Sequence, residues 1–216
     1  YLIPGALAGL FGYIGLACLY EGLSTGRMGV VSPISTLSAV IPLSFAFVSG
    51  ERPTIIQIAG MGIALLGAFC ASGPDIVNGL PIKPLLFGLG AALGFGIALT
   101  FMAQGSKTSS LMTMTSMRVI SVSICILIAL RYRTIGGFGK SDIKILVVIG
   151  VTDFVANLLL GVATTKGLVS VAMVLGGLFP IVTSLLAFKF LHERLHKAQY
   201  LGIFLAVAGV SIISIG

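Results

Sequence analysis

The chain has 216 residues, 57% of them hydrophobic and only 9% charged, with 29 glycines, a mean hydropathy of +1.14 and a net charge of +7. A water-soluble protein of this length needs a charged surface over its core, which this composition does not supply, so the expected solvent is lipid. The basic excess does not point to nucleic acid, because the thirteen Lys and Arg residues stand singly or in small groups in short loops and form no stripe.

Apolar runs follow one another in chain order near 2–20, 28–49, 55–73, 84–103, 111–130, 143–165, 168–190 and 198–216, separated by Gly, Pro and charge. They lack the alternation of a membrane barrel, and an unsatisfied backbone polar group costs several kcal/mol in lipid, so an all-α membrane protein with eight transmembrane helices is expected. Cys18, Cys70 and Cys125 all fall inside these runs at no metal or disulfide spacing. Tyr1 already lies in an apolar run with no basic flank or cleavage site, so no signal peptide is read there.

An internal repeat organises the runs. Glu51, Arg52, Gln57, Gly60 and Gly67 recur as Glu193, Arg194, Gln199, Gly202 and Gly209 at a single offset of 142 residues. The first three helices pair with the last three, while those at 84–103 and 111–130 have no counterpart. Residues 1–80 then hold the final three helices of a first copy, and 81–216 a complete five-helix second copy. Two helices are expected before Tyr1, giving ten in all. Five is odd, so the copies insert with opposite orientation, the inverted-repeat plan of many secondary transporters.

Two stretches resemble the EamA-type transporters of the drug/metabolite transporter superfamily: "GRMGVVSPISTLSAVIPLSFAFVSGERPT" from Gly26, and "TDFVANLLLGVATTKGLVSVAMVLGGLFPIVTSLLAFKFLHERL" from Thr152. The resemblance covers nearly the whole chain. It implies a ten-helix carrier of metabolites, amino acids or drug-like solutes, working by alternating access around a cavity between the halves. It also implies an arginine in the 111–130 helix, which Arg118 matches, and an integral protein of a bacterial-type plasma membrane.

Of six carboxylates, only Asp153 sits deep in an apolar helix, where a charge costs at least ~2.5 kcal/mol. Asn157 lies one turn on, and Gly161 with Thr164 extends that face. The repeat places Phe11 and Gly15 at the corresponding positions, so the fold itself does not demand these polar groups. Arg118, with Thr115 and Ser121 on its face, is within reach of Asp153 as an ion-pair partner, with snorkelling to the near interface as the competing fate; the pair is either structural or a substrate or proton site, and in the latter case Asp153 is expected to exchange protons during transport. Pro33, Pro42 and Pro180 lie inside helices at the repeat interface, each freeing a backbone carbonyl that a cavity can use or simply kinking its helix. Arg118, Asp153, Asn157, Pro42 and Pro180 form the candidate substrate or proton site. Gly5 with Gly9, and Gly90 with Gly94, have the spacing of close helix packing.

His192, Glu193 and His196 spell HExxH, a zinc-protease spacing. The repeat copy keeps Glu51 and Arg52 but has Gly50 and Thr54 in place of the histidines, and no third ligand follows His196. The reading is therefore no enzyme and no metal. No phosphate-binding glycine loop or nucleophile elbow occurs, so no cofactor is expected. The expected partners are a small-molecule substrate and the lipid bilayer, with no nucleic acid and a monomeric state. A membrane scaffold without transport is the rival, although it has no need of Asp153, Asn157 and Arg118. Arg52, Lys107, Arg118 and Lys166 mark one face, and the other nine basic residues mark the opposite one. Basic loops favour the cytoplasm, which puts the nine inside, whereas the resemblance implies the reverse.

Overall fold

The structure is a computed structural model and describes residues 1–25, 28–73, 82–133, 137, 139, 142–190 and 197–215. All regular elements among them are helical, with no strand. In chain order they are α1 (Leu2–Ser24), α2 (Met28–Thr36), a 3-10 turn (Leu37–Ala39), α3 (Val40–Val48), α4 (Ile55–Ala71), α5 (Ile82–Tyr132), α6 (Ile143–Lys166), α7 (Val169–Gly176), α8 (Phe179–Phe190) and α9 (Lys197–Ile215). Among the described residues, the stretches 2–24, 30–48, 82–132, 143–166 and 197–215 are long and apolar enough to cross a bilayer. Helix α4 is apolar but has 17 residues, and begins with a capping box in which Thr54 and Gln57 satisfy each other's backbone N–H.

Helix α5 merges two of the expected runs, and the sequence-based loop between them shrinks to one residue. A straight helix of 51 residues would run about 76 Å, more than twice the hydrocarbon thickness. Ser109 interrupts it with an extended backbone (φ −164°, ψ 112°) and caps the second leg, its Oγ accepting from the Met112 N–H at 3.3 Å. Small residues of α1 record how the two legs lie. Gly5 and Gly9 abut Thr113, Ser116 and Met117 on the second leg, while Gly15 and Gly22 abut Phe95 and Phe87 on the first. Along α1 the first leg therefore runs backwards and the second forwards, so α5 is a helical hairpin folded at Ser109. The polar residues before the turn stay helical because Gly105 packs on Thr113 and Ser106 is buried.

Two further runs, each expected to be one regular helix, tighten locally while their backbone hydrogen bonds continue. The first does so at the 3-10 turn Leu37–Ala39, and the second at Gly177 and Leu178 between α7 and α8. Under the 142-residue offset Leu37–Ala39 maps onto 179–181, so the two sites lie close to, but about two residues out of, register. Proline chemistry explains both sites, since proline has no N–H for the carbonyl four residues earlier. Pro42 leaves the Ser38 carbonyl without that donor, and Pro180 does the same for Gly176.

Glu51, in the loop after α3, reaches across to the start of α7. Its carboxylate accepts the backbone N–H of Val169 at 2.8 Å and of Ser170 at 3.1 Å. Both are donors that an isolated helix start leaves unmade, and an anion there also suits the helix dipole. The repeated glutamate of the sequence thus has a local task, to hold the loop after α3 to the start of α7.

Helices α4 and α9 pack at backbone contact through a reciprocal set of small residues. A Cβ on Gly60 would stand 2.9 Å from the Gly209 carbonyl oxygen, and one on Gly202 would stand 2.7 Å from that of Gly67. The offset carries Gly60 to Gly202 and Gly67 to Gly209, so each contact is the repeat image of the other. Position 60 meets 209 and position 67 meets 202, so the helices run antiparallel. Val174 of α7 closes this cluster over Met61, Ala64 and Ile213. A second cluster, Ala8, Met102, Ala103, Met114 and Met173, joins α1, both legs of α5 and α7.

Gly67→Ala drives a methyl to 2.4 Å from the Ala206 backbone nitrogen, whereas nothing lies within 4 Å of a Cβ on Gly62. Gly67→Ala is expected to destabilise the protein by about 1–3 kcal/mol. Gly62→Ala is expected to be neutral or to stabilise it by up to ~1 kcal/mol. Thermal unfolding of both variants in detergent measures the contrast.

Candidate functional site

A cavity of about 590 Å³ opens between α1, both legs of α5, α6 and the two breaks. That volume lies in the range of roughly 300–1,000 Å³ usual for small-molecule sites. Its apolar lining includes Phe95, Met102, Met117, Met173 and Phe179. The first break contributes Ser38, with Ser35 one turn earlier, and the second contributes Gly176 and Gly177. Ser38 and Gly176, whose carbonyls lose the donor four residues on at Pro42 and Pro180, are both residues of the cavity lining.

Arg118 and Asp153 face each other across the cavity. The Arg118 Nη2 donates to Asp153 Oδ2 in an ion pair that joins the second leg of α5 to α6. Asn157 Nδ2, one turn along α6, donates to Asp153 Oδ1 at 3.1 Å and to the Asp153 carbonyl at 2.8 Å. Both carboxylate oxygens are engaged, and the side chains remain one-third (Arg118) and one-half (Asp153) exposed. An aspartate this far into an apolar helix is tolerated because it meets a cation and an amide instead of hydrocarbon.

The other polar residues of these faces divide. Ser121 lines the cavity and donates its hydroxyl to the carbonyls of Met117 (3.0 Å) and Gly9 (3.2 Å). Thr115 turns to its own helix, donating to the Leu111 carbonyl at 2.9 Å. Gly161 and Thr164 are buried, with Gly161 packed against Ser106. The expected stripe is thus a cavity-facing pair followed by a packing pair. Pro42 itself lines a separate recess of about 70 Å³ beside Glu51 and Lys107. Pro180 lies within α8, and its side chain is outside the described residues, as are His192, Glu193 and His196 of the HExxH motif. The sequence reading did not single out Tyr13, Ser35, Ser38 or the aromatic lining. The helix breaks were the signal that would have found the serines.

Apolar helices interrupted around a partly polar cavity are the build of a carrier for small solutes. The pattern of the EamA-like transporter family matches residues 2–73 and 82–215, and the chain belongs to that family. It is accordingly an integral membrane protein of a family of transporters of the drug/metabolite kind, not of enzymes. An uncharacterized protein of Methanocaldococcus jannaschii is 26% identical over 131 residues, covering 61% of this chain and 96% of its own length. A crystal structure of another protein shares the fold with a TM-score of 0.78 at 17% identity, covering 98% of this chain and 74% of that one.

A double-mutant cycle tests the ion pair. Arg118→Gln and Asp153→Asn are each expected to lower thermal stability. Their combination should cost less than the sum, with a coupling of about 0.5–3 kcal/mol as for partners in one network. Strict additivity would mean that the two groups do not meet in the membrane.

Proposed function

We propose that this protein carries a small organic solute across the membrane by alternating access, with two inverted copies of one helical unit rocking about the cavity. In this reading eight spans are present, residues 1–80 are the end of the first copy, residues 81–216 are the whole of the second, and two further helices complete a ten-helix carrier. The observation that carries the proposal is a cavity of about 590 Å³ that holds the Arg118–Asp153 ion pair and is lined by Ser38 on one side and by Gly176 and Gly177 on the other. Half-helices meeting near mid-membrane are where carriers bind their substrates. The reciprocal glycine contacts of α4 and α9 support opposite insertion of the copies, because an antiparallel pair that maps onto itself needs a two-fold axis across the helices.

Arg118, Asp153 and Asn157 supply the polar contacts to the solute, with Ser38 beside them, and Phe95, Met102 and Phe179 line the space for its apolar part. Pro42 and Pro180 serve through the backbone by fixing where the helices stop. The protein acts as a monomer in a plasma membrane of bacterial type.

Expressing the full-length protein in cells and profiling metabolites against a vector control tests the proposal. A small set of solutes is expected to be gained or lost severalfold with the wild type and not with Arg118→Gln at equal expression. A profile identical to the vector under several growth conditions would favour a scaffold role.

A further inference from the structure

The two charges of the cavity are not equally committed. Both oxygens of Asp153 are engaged, one by Arg118 and the other by Asn157 on its own helix. Arg118 uses Nη2 alone, and its Nη1 and Nε have no partner among the described residues. Of the hydroxyls lining the cavity, Ser121 directs its proton to Met117 and Gly9 and Ser35 to Ser32 at 2.8 Å, while those of Ser38 and Tyr13 are neutral donors. The spare ionic donors of the cavity are therefore those of one guanidinium. Its planar fork matches a carboxylate held by two parallel hydrogen bonds, and Asp153 takes only one of those places.

We infer that Arg118 is the docking point for the carboxylate of an organic substrate with an apolar body, and that Asp153 occupies this point as an internal stand-in until the substrate displaces it. The inference rests on the proposed carrier function and names its substrate class. Charge balance adds a condition. The closed pair is neutral, and an anion entering alone would leave one negative charge too many in a cavity lined mainly by apolar groups. The titratable groups lining the cavity are Tyr13, Arg118, Cys125 and Asp153, so the displaced aspartate is the acceptor for the balancing charge. That charge is either an ammonium on the substrate itself or one proton that moves from solvent to Asp153. A substrate that is only a cation finds Asp153 already satisfied and meets Arg118 as a repelling neighbour. Phe95, Met102, Met117 and Phe179 receive the apolar body.

Calorimetric titration of the full-length protein in nanodiscs with four probes that share a phenyl ring tests this: benzoate, phenylglycine, benzylamine and benzyl alcohol. Benzoate and phenylglycine are expected to bind about tenfold or more tightly than the two probes without a carboxylate, the usual scale of a hydrogen bond to a charged group. Titrations in buffers of different ionisation enthalpy should register about one proton taken up per benzoate and none per phenylglycine. The preference should vanish in Arg118→Gln and also in the Arg118→Gln/Asp153→Asn double variant, in which no lone charge endangers folding. Tighter binding of benzylamine or benzyl alcohol, an unchanged benzoate affinity in the double variant, or benzoate binding without proton uptake would overturn the assignment and leave the carrier function standing. Failure of all four probes to bind would overturn it as well, while the metabolite profile judges the carrier function separately.

Discussion

In hydrocarbon a backbone N–H or C=O with no partner costs several kcal/mol, and the architecture follows from how this chain meets that constraint. Long apolar helices satisfy the backbone internally over most of their length. Where the helix stops, something else must accept or donate. Ser109 caps the second leg of α5, Thr54 and Gln57 cap α4, and the Glu51 carboxylate takes two N–H groups at the start of α7. The breaks at Leu37–Ala39 and Gly177–Leu178 border a cavity of about 590 Å³, where irregular backbone at membrane depth is tolerated. At the proposed substrate site the backbone stays paired through tighter bonds, such as those of Leu178 to Leu175 and Ile181 to Leu178.

Lipid also removes the hydrophobic effect as a force between helices, so dispersion and close approach must hold them together. This explains the glycines. Gly60, Gly67, Gly202 and Gly209 let α4 and α9 meet backbone to backbone, and the glycines of α1 let it follow both legs of the α5 hairpin. The same low dielectric makes a lone charge costly and a neutral pair tolerable, which is why Arg118 and Asp153 are found together. In the proposed carrier a rigid framework built from small residues surrounds one ion pair that a substrate can open.

Much of this was legible in the sequence because membrane helices write their length directly into hydropathy. The positions of the apolar runs and the 142-residue offset could be read from residue type and spacing, whereas Arg118 and Asp153, on different helices, could be read only as within reach of each other. The helix breaks were less legible. Prolines were conspicuous, but Pro33 remains inside α2 while the interruption falls at Leu37–Ala39, four residues before Pro42 and its neighbours. A proline disturbs the turn before it, so the break lies upstream of the residue that signals it. The loop expected near residues 104–110 became a one-residue cap, since hydropathy registers the polar residues without telling a turn from a polar helix end. The lining serines and aromatics were hidden because which face of a helix looks into a cavity depends on the neighbours. The role of Glu51 was hidden too, since its partners lie more than a hundred residues away.

Hydrogen–deuterium exchange of the full-length protein in lipid nanodiscs tests most directly the claim that the two interrupted helices border a wetted cavity. Amides of Ser38, Ala39, Gly177 and Leu178 should exchange about tenfold or more faster than those of Ala64 and Ala206 in the α4–α9 seam, as expected for locally accessible against tightly packed backbone. Equal protection at both breaks and the seam would mean that the interruptions are buried in dry protein, and would contradict a substrate site there.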